Sequence, residues 1–216
     1  MIKFKHIIWD WNGTLFDDAK LCWQIINEII IENGLPGITF EKYLNVFTFP
    51  VKKYYEAVGL PVNNGEFERL GKIFIERYEQ RKFQADLHKE TKNVIEKFSS
   101  VNIKQYVLSA YSLDKLEFIL QHFGLSKYFE HIAGLDNIYA NSKVEIGKEL
   151  VEKIKADKKE ILLIGDTLHD AEVSDELGIS SLLVANGHQT KERLLQSNVP
   201  VVNSLNEVVE FVLNGN

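Results

Sequence analysis

From about residue 88 onward the chain alternates short apolar runs with amphipathic stretches, and this rhythm limits its fold more than any other feature. KQYVLSA (104–110), FEHIAGL (129–135), EILLIGD (160–166), SSLLVANG (180–187) and PVVNS (200–204) read as strands. LDKLEFILQHFG (113–124), SKVEIGKELVEKIKA (142–156), AEVSDELG (171–178), TKERLLQS (190–197) and LNEVVEFVL (205–213) read as helices. FKHIIW (4–9), a short apolar run ended by a turn, is one more strand. Strands that alternate with helices predict βαβ units, and so an α/β fold whose parallel sheet carries helices on both faces.

Residues 17–86 break the rhythm and read as entirely helical. Asp17 or Asp18 can cap a first helix. Its apolar residues Leu21, Cys22, Ile25, Ile26, Ile29 and Ile30 recur at helical spacing, and Gly34 stops it. Shorter helices are expected near 39–47 and 50–58, with Pro36, Pro50 and Pro61 as punctuation, and a longer one over 64–83. The expected organisation is a core of residues 1–16 and 87–216 with a helical insertion, 17–86.

Composition removes several function classes. The formal net charge is −6 and no basic stretch accumulates, which argues against a nucleic-acid partner. The single cysteine, Cys22, permits no intrachain disulfide and fits a reducing compartment. The apolar run near residue 1 is too short for a signal-peptide core, and no run approaches the ~18 apolar residues of a membrane helix. A cytoplasmic protein without membrane contact is therefore expected.

In open parallel sheets, ligands bind beyond the carboxyl ends of the strands. The first strand ends at Asp10, the second at Ser109, and the strand at 160–165 at Asp166, with Asp170 four residues on. Lys143 opens the helix after the third strand. Three carboxylates converging there would repel one another unless a hard cation sat among them, and Mg²⁺ suits carboxylates plus phosphate oxygens. A hydroxyl and an ammonium beside them bind anions. Together they suit phosphoryl transfer through an aspartyl-phosphate. An EF-hand starting at Asp10 is excluded, because its sixth position is Leu15 and its twelfth Leu21. No GxxxxGK[ST] loop is present.

With these residues in place the chain resembles the haloacid dehalogenase superfamily, in particular its phosphoglycolate phosphatase-like branch with a helical cap after the first strand. DWNGTLFDD resembles the first motif, normally DxDGT; VLSA the second; NSK the third; IGDTLHD the fourth, GDxxxD. The resemblance implies a Rossmann-like, doubly wound parallel sheet core with an inserted all-helical cap domain. It implies that Asp10 is the nucleophile and a Mg²⁺ ligand, that the backbone carbonyl of Asn12 and the carboxylate of Asp166 complete the protein ligands, and that Asp170 supports the metal site. Ser109 and the N–H of Ala110 would hold the phosphoryl group, and Lys143 would neutralise charge on nucleophile and phosphate. Gly13 would permit the turn, and Thr14 would bond within the loop. The implied substrate is a small phosphorylated metabolite.

Two positions depart from the pattern. In family phosphatases the second Asp of DxDGT moves protons to the leaving oxygen and from the attacking water, and Asn12 has no such proton. General acid–base catalysis contributes typically ~10²–10⁴-fold. Turnover would be slow, or confined to good leaving groups, or served by a substitute, for which His169 in the fourth motif is nearest by sequence and a solvated loop histidine is the alternative. The Pro-rich stretch common after the third-motif lysine is also missing. Lys52, Lys53, Tyr54 and Tyr55 could reach substrate from the insertion or simply line a helix face. The rival functions are a non-catalytic or weakly catalytic phosphometabolite-binding regulatory protein, a 2-haloacid dehalogenase and a phosphoryl mutase. The acids at 166 and 170 count against the dehalogenase, and Asn12 counts against the mutase.

Overall fold

A computed structural model describes residues 2–135 and 142–215. Asn141 of the third motif lies outside the described residues. The strands are β1 (His6–Trp9), β2 (Phe16–Asp17), β3 (Asp86–Leu87), β4 (Lys104–Ser112), β5 (Phe129–Leu135), β6 (Ile161–Gly165), β7 (Ser180–Val184) and β8 (Val201–Val202). The α-helices are α1 (Ala19–Glu32), α2 (Phe40–Val46), α3 (Val51–Ala57), α4 (Glu66–Arg81), α5 (Thr91–Ser100), α6 (Leu113–His122), α7 (Lys143–Ile154), α8 (Leu168–Leu177), α9 (Lys191–Leu194) and α10 (Leu205–Asn214).

Six strands form one parallel sheet in the order β5-β4-β1-β6-β7-β8. This is the Rossmann-like, doubly wound arrangement expected. Its central strands are buried on both faces, which is why they read as unbroken apolar runs. The two-residue side-chain period sorts them between two cores. Ile7, Trp9, Val107, Leu162 and Ile164 join Phe98 of α5 and Val208 and Val212 of α10. Ile8, Tyr106, Leu108, Ile161 and Leu163 join Ile146 and Leu150 of α7 and Val173 of α8. Fully burying one such Leu or Ile stabilises the fold by about 1.5–3 kcal/mol.

Helices α1–α4 follow one another between β2 and β3, where a helical insertion was expected. The entirely helical reading of 17–86 is corrected at both ends. Phe16 pairs with Leu87 and Asp17 with Asp86 in an antiparallel ribbon beneath the helices. Two residues per strand are too few to show alternation in a sequence. Elsewhere α5 adds a helix before β4, β4 runs on to Ser112, α8 begins three residues before Ala171, and α9 and β8 are shorter than the runs read over 190–197 and 200–204. Among the described residues no helix is long and apolar enough to cross a membrane.

Candidate active site

The chain leaves β1 at Trp9 and turns at once. The N–H of Asp10 still bonds the carbonyl of Ile164 at 2.9 Å, so the neighbouring strand fixes where Asp10 starts. The N–H of Gly13 then donates to Phe16 O at 2.8 Å, and Phe16 N to Trp11 O at 3.1 Å, closing a tight loop. Gly13 has φ +78°, and a Cβ there would lie 2.4 Å from Asp166 Oδ2. Only glycine permits both that backbone and that approach.

Asp10, Thr14, Lys143, Asp166 and Asp170 meet beyond the carboxyl ends of β1 and β6. Lys143 Nζ donates to Asp10 Oδ1 at 2.5 Å and to Asp170 Oδ1 at 2.6 Å. Thr14 Oγ1 lies 2.8 Å from Asp166 Oδ1 and 3.2 Å from Asp10 Oδ2, so the threonine bonds beyond its own loop. The N–H of His188 donates to Asp166 Oδ2 at 2.6 Å. Asp170 also caps α8: its Oδ2 accepts from Thr167 N at 3.0 Å and from Thr167 Oγ1 at 2.7 Å. Capping alone therefore does not account for it. Ser109 is buried in β4, its Oγ accepting from Tyr111 N at 3.1 Å, and Ala110 beside it is exposed.

Charge in this crevice is unbalanced. Asp10, Asp166 and Asp170 place carboxylate oxygens within 4.8 Å of one another, against the single ammonium of Lys143. Burial pushes Asp10 up to about 7, even though Lys143 pulls it down, and Asp170 and Asp166 add to the rise. Burial likewise raises Asp166. At Asp170 burial is outweighed by Lys143 and Thr167, and its carboxyl stays below the usual range. A divalent cation bound by hard oxygens would relieve this imbalance, and the donors present fit Mg²⁺.

Asp18 overturns the reading as a simple helix cap. It stands at the N-cap of α1 but makes no capping bond. Its Oδ1 accepts from Gly13 N at 2.9 Å and lies 3.3 Å from His188 Nε2. Its Oδ2 accepts from Asn12 Nδ2 and Tyr78 OH, both at 2.7 Å. Burial alone would lower the basicity of His188, but Asp18 and the other acids raise it to about 9. Its Nδ1 lies 2.7 Å from Tyr43 OH. His188 and Cys22 could join Asp18 around a metal, but the carboxylate oxygens already have the partners named. Asp18, Tyr43 and Tyr78 are the site neighbours that sequence reasoning missed, and the acidic doublet at 17–18 was their only visible signal. His188 stands, as its loop position at the active edge suggests, against Asp166 and Asp18.

His169 bonds Glu172 at 3.2 Å and stacks on Phe49 at 4.7 Å between ring centroids. It stands in the first turn of α8 and meets the helical insertion through Phe49. Tyr54 and Tyr55 are buried among Tyr43, Phe47 and Phe67, in the same apolar cluster as one face of the sheet, whereas Lys52 and Lys53 are exposed. Asp10, Ser109 and Lys143 are 7%, 2% and 6% exposed, so the crevice is closed. A separate cleft of about 670 Å³ opens beside it between α1, α2 and the loop after β7, and none of the three carboxylates of the crevice lines it.

The family model for haloacid dehalogenase-like hydrolases matches residues 7–184. No curated protein matches the sequence significantly. Among solved structures, a haloacid dehalogenase-like hydrolase from Streptococcus pneumoniae is 17% identical, with TM-score 0.80 over 98% of this chain and 99% of that one. A protein from Lactobacillus delbrueckii subsp. bulgaricus, provisionally described as a phosphoglycolate phosphatase, is 17% identical with TM-score 0.83 over 99% and 100%. The protein tyrosine kinase A of Mycobacterium tuberculosis is 19% identical with TM-score 0.81 over 98% and 99%. At such identities the likeness is one of fold.

Proposed function

Because the chain belongs to the haloacid dehalogenase-like hydrolases, we propose that it is a Mg²⁺-dependent phosphatase of a small phosphorylated metabolite. The observation that carries this reading is Asp10, fixed at a strand end and bonded to Lys143 at 2.5 Å, with two further acids within reach. A carboxylate oxygen of Asp10 attacks phosphorus, and the P–O bond to the leaving group breaks. Water then attacks the aspartyl-phosphate, releasing inorganic phosphate and restoring the carboxylate. Ser109 Oγ and the N–H of Ala110 hold the phosphoryl oxygens. Lys143 balances the charge of Asp10 and the phosphate, and Asp170 fixes the ammonium. Asp10, Asp166 and the main-chain carbonyl of Asn12 would hold the Mg²⁺, which supplies charge neutralisation at phosphorus.

Helices α1–α4 act in this reading as a cap over the crevice, shutting out water and shaping specificity. The burial of Asp10, Ser109 and Lys143 supports this, since substrate enters only when covering chain moves aside. The provisional description of the Lactobacillus relative agrees with a small anionic ester as substrate. Asn12 favours a second reading, a weakly catalytic phosphometabolite-binding protein, because no proton carrier stands at position 12.

The test is a panel of aryl and metabolite phosphates with Mg²⁺ or EDTA, for wild type and Asp10→Asn. Phosphate release that needs both Mg²⁺ and Asp10 is expected. Release unchanged in Asp10→Asn overturns the reading, and chloride release from a haloacid without Mg²⁺ replaces it with a dehalogenase.

A further inference from the structure

We propose that Asp18 is a positioning residue for Asn12 and that the two work as one unit. The acid–base carboxylate absent from position 12 can then be restored only if the charge at position 18 is removed. This rests on the phosphatase reading above and deepens it.

The geometry is a closed triangle. Asn12 Nδ2 donates to Asp18 Oδ2 at 2.7 Å and to Tyr78 OH at 2.8 Å. Tyr78 OH donates to the same Asp18 oxygen at 2.7 Å. Both amide protons of Asn12 are thus committed, and its Oδ1 points away from Asp18 and Tyr78. Asp18 cannot turn to serve as the missing base. It is fully buried, and its other oxygen is held by Gly13 N at 2.9 Å and His188 Nε2 at 3.3 Å. Position 12 therefore offers an acceptor only, which can orient a water molecule through its O–H but cannot take its proton.

An aspartate at position 12 would meet Asp18 at the distance now spanned by the 2.7 Å hydrogen bond. Two carboxylates offer acceptors and no donor, so the bond that aims position 12 is lost and the side chains move apart. The side chain at position 12 then no longer has the fixed aim that a general base needs. The paired exchange Asn12→Asp with Asp18→Asn behaves differently. The amide then stands at 18, its Nδ2 facing position 12 and its Oδ1 still facing Gly13 N. The donor–acceptor pair is kept in reverse, and the carboxylate stands at position 12.

The experiment is a double-mutant cycle over Asn12→Asp, Asp18→Asn and the paired exchange. It reads Tm, and kcat and KM on an alkyl phosphate and an aryl phosphate with Mg²⁺. Asn12→Asp alone is expected to lower Tm without raising kcat. The paired exchange is expected to recover Tm relative to the sum of the single changes. It should raise kcat on the alkyl phosphate on the order of 10-fold or more above wild type, with less gain on the aryl ester, whose leaving group needs little protonation, and little change in KM. Loss of the anion beside His188 is common to both backgrounds and cancels in the cycle. Additive Tm changes overturn the pairing, as does an Asn12→Asp single variant as active as the paired exchange. Phosphate release that is absent in wild type, or indifferent to Asp10→Asn, defeats the phosphatase reading instead, and the Tm cycle still decides the pairing.

Discussion

A Cβ built on Gly187 would lie 2.1 Å from Asp166 Oδ2, closer than any real contact and without help from a positive φ. The loop after β7 is thus pressed against the carboxylate at the end of β6, and its N–H at His188 bonds the same oxygen. Gly187→Ala is expected to push Asp166 off its position. A displacement near 1 Å costs catalysis about 10²-fold, so kcat for phosphate release should fall about that much while far-ultraviolet circular dichroism stays native. A variant as active as wild type would show that Asp166 need not be held there. This residue also shows what the sequence could and could not disclose. Asp10, Asp166, Asp170 and Lys143 were legible because strand ends and spacing mark them. Gly187 and Asp18 were not, because their roles exist only where distant loops meet. Asp18 was misread as a cap because its local setting, a doublet before an apolar helix, fits a cap well.

Arg193 is one of several groups that fasten helices α1–α4 to the sheet side. Arg193 Nη1 donates to Phe47 O at 2.5 Å and to Leu44 O at 3.3 Å, meeting carbonyls at the C-terminal end of α2, where the helix dipole is negative. Gln189 Nε2 adds a bond to Phe47 O at 2.9 Å, and Phe49 lies on His169. A hydrogen bond to a charged group contributes about 1.5–3 kcal/mol. Arg193→Ala should therefore raise hydrogen exchange of the α2 amides at least about tenfold, while β1 and β6 stay protected. Equal exchange before and after the change would mean that the Gln189 and Tyr43 bonds and the aromatic contacts hold α2 without Arg193. Sequence reading found α2, α3 and the helix that carries Arg193, but not the anchor, because which carbonyls an arginine reaches is set by tertiary contact and not by periodicity. The start of α8 was missed for a related reason. Thr167 caps it, and the early turn carries Leu168 as its only large apolar residue, so periodicity began to show only later.

Across the whole molecule, the sheet order makes the site. β1 lies between β4 and β6, with Trp9 paired to Ile164, so the residues that follow each strand emerge side by side. Alternation in the sequence announced a parallel sheet, but the order β5-β4-β1-β6-β7-β8 is a matter of long-range pairing that periodicity does not encode. Because the three carboxylates meet only in the folded chain, a cation bound among them binds the native state and not the unfolded one. Its binding must then raise stability by mass action, by about 2.7 kcal/mol at a hundredfold excess over Kd. For a domain of this size that is roughly a 5–10 °C rise in Tm. Thermal unfolding with Mg²⁺ should show the rise, EDTA should reverse it, and Asp166→Asn should remove most of it even with the fold intact. The apo Asp166→Asn protein should itself be no less stable than apo wild type, because one of three crowded carboxylates has been neutralised. A Tm indifferent to Mg²⁺ in wild type, or an equal rise in Asp166→Asn, would place the cation elsewhere.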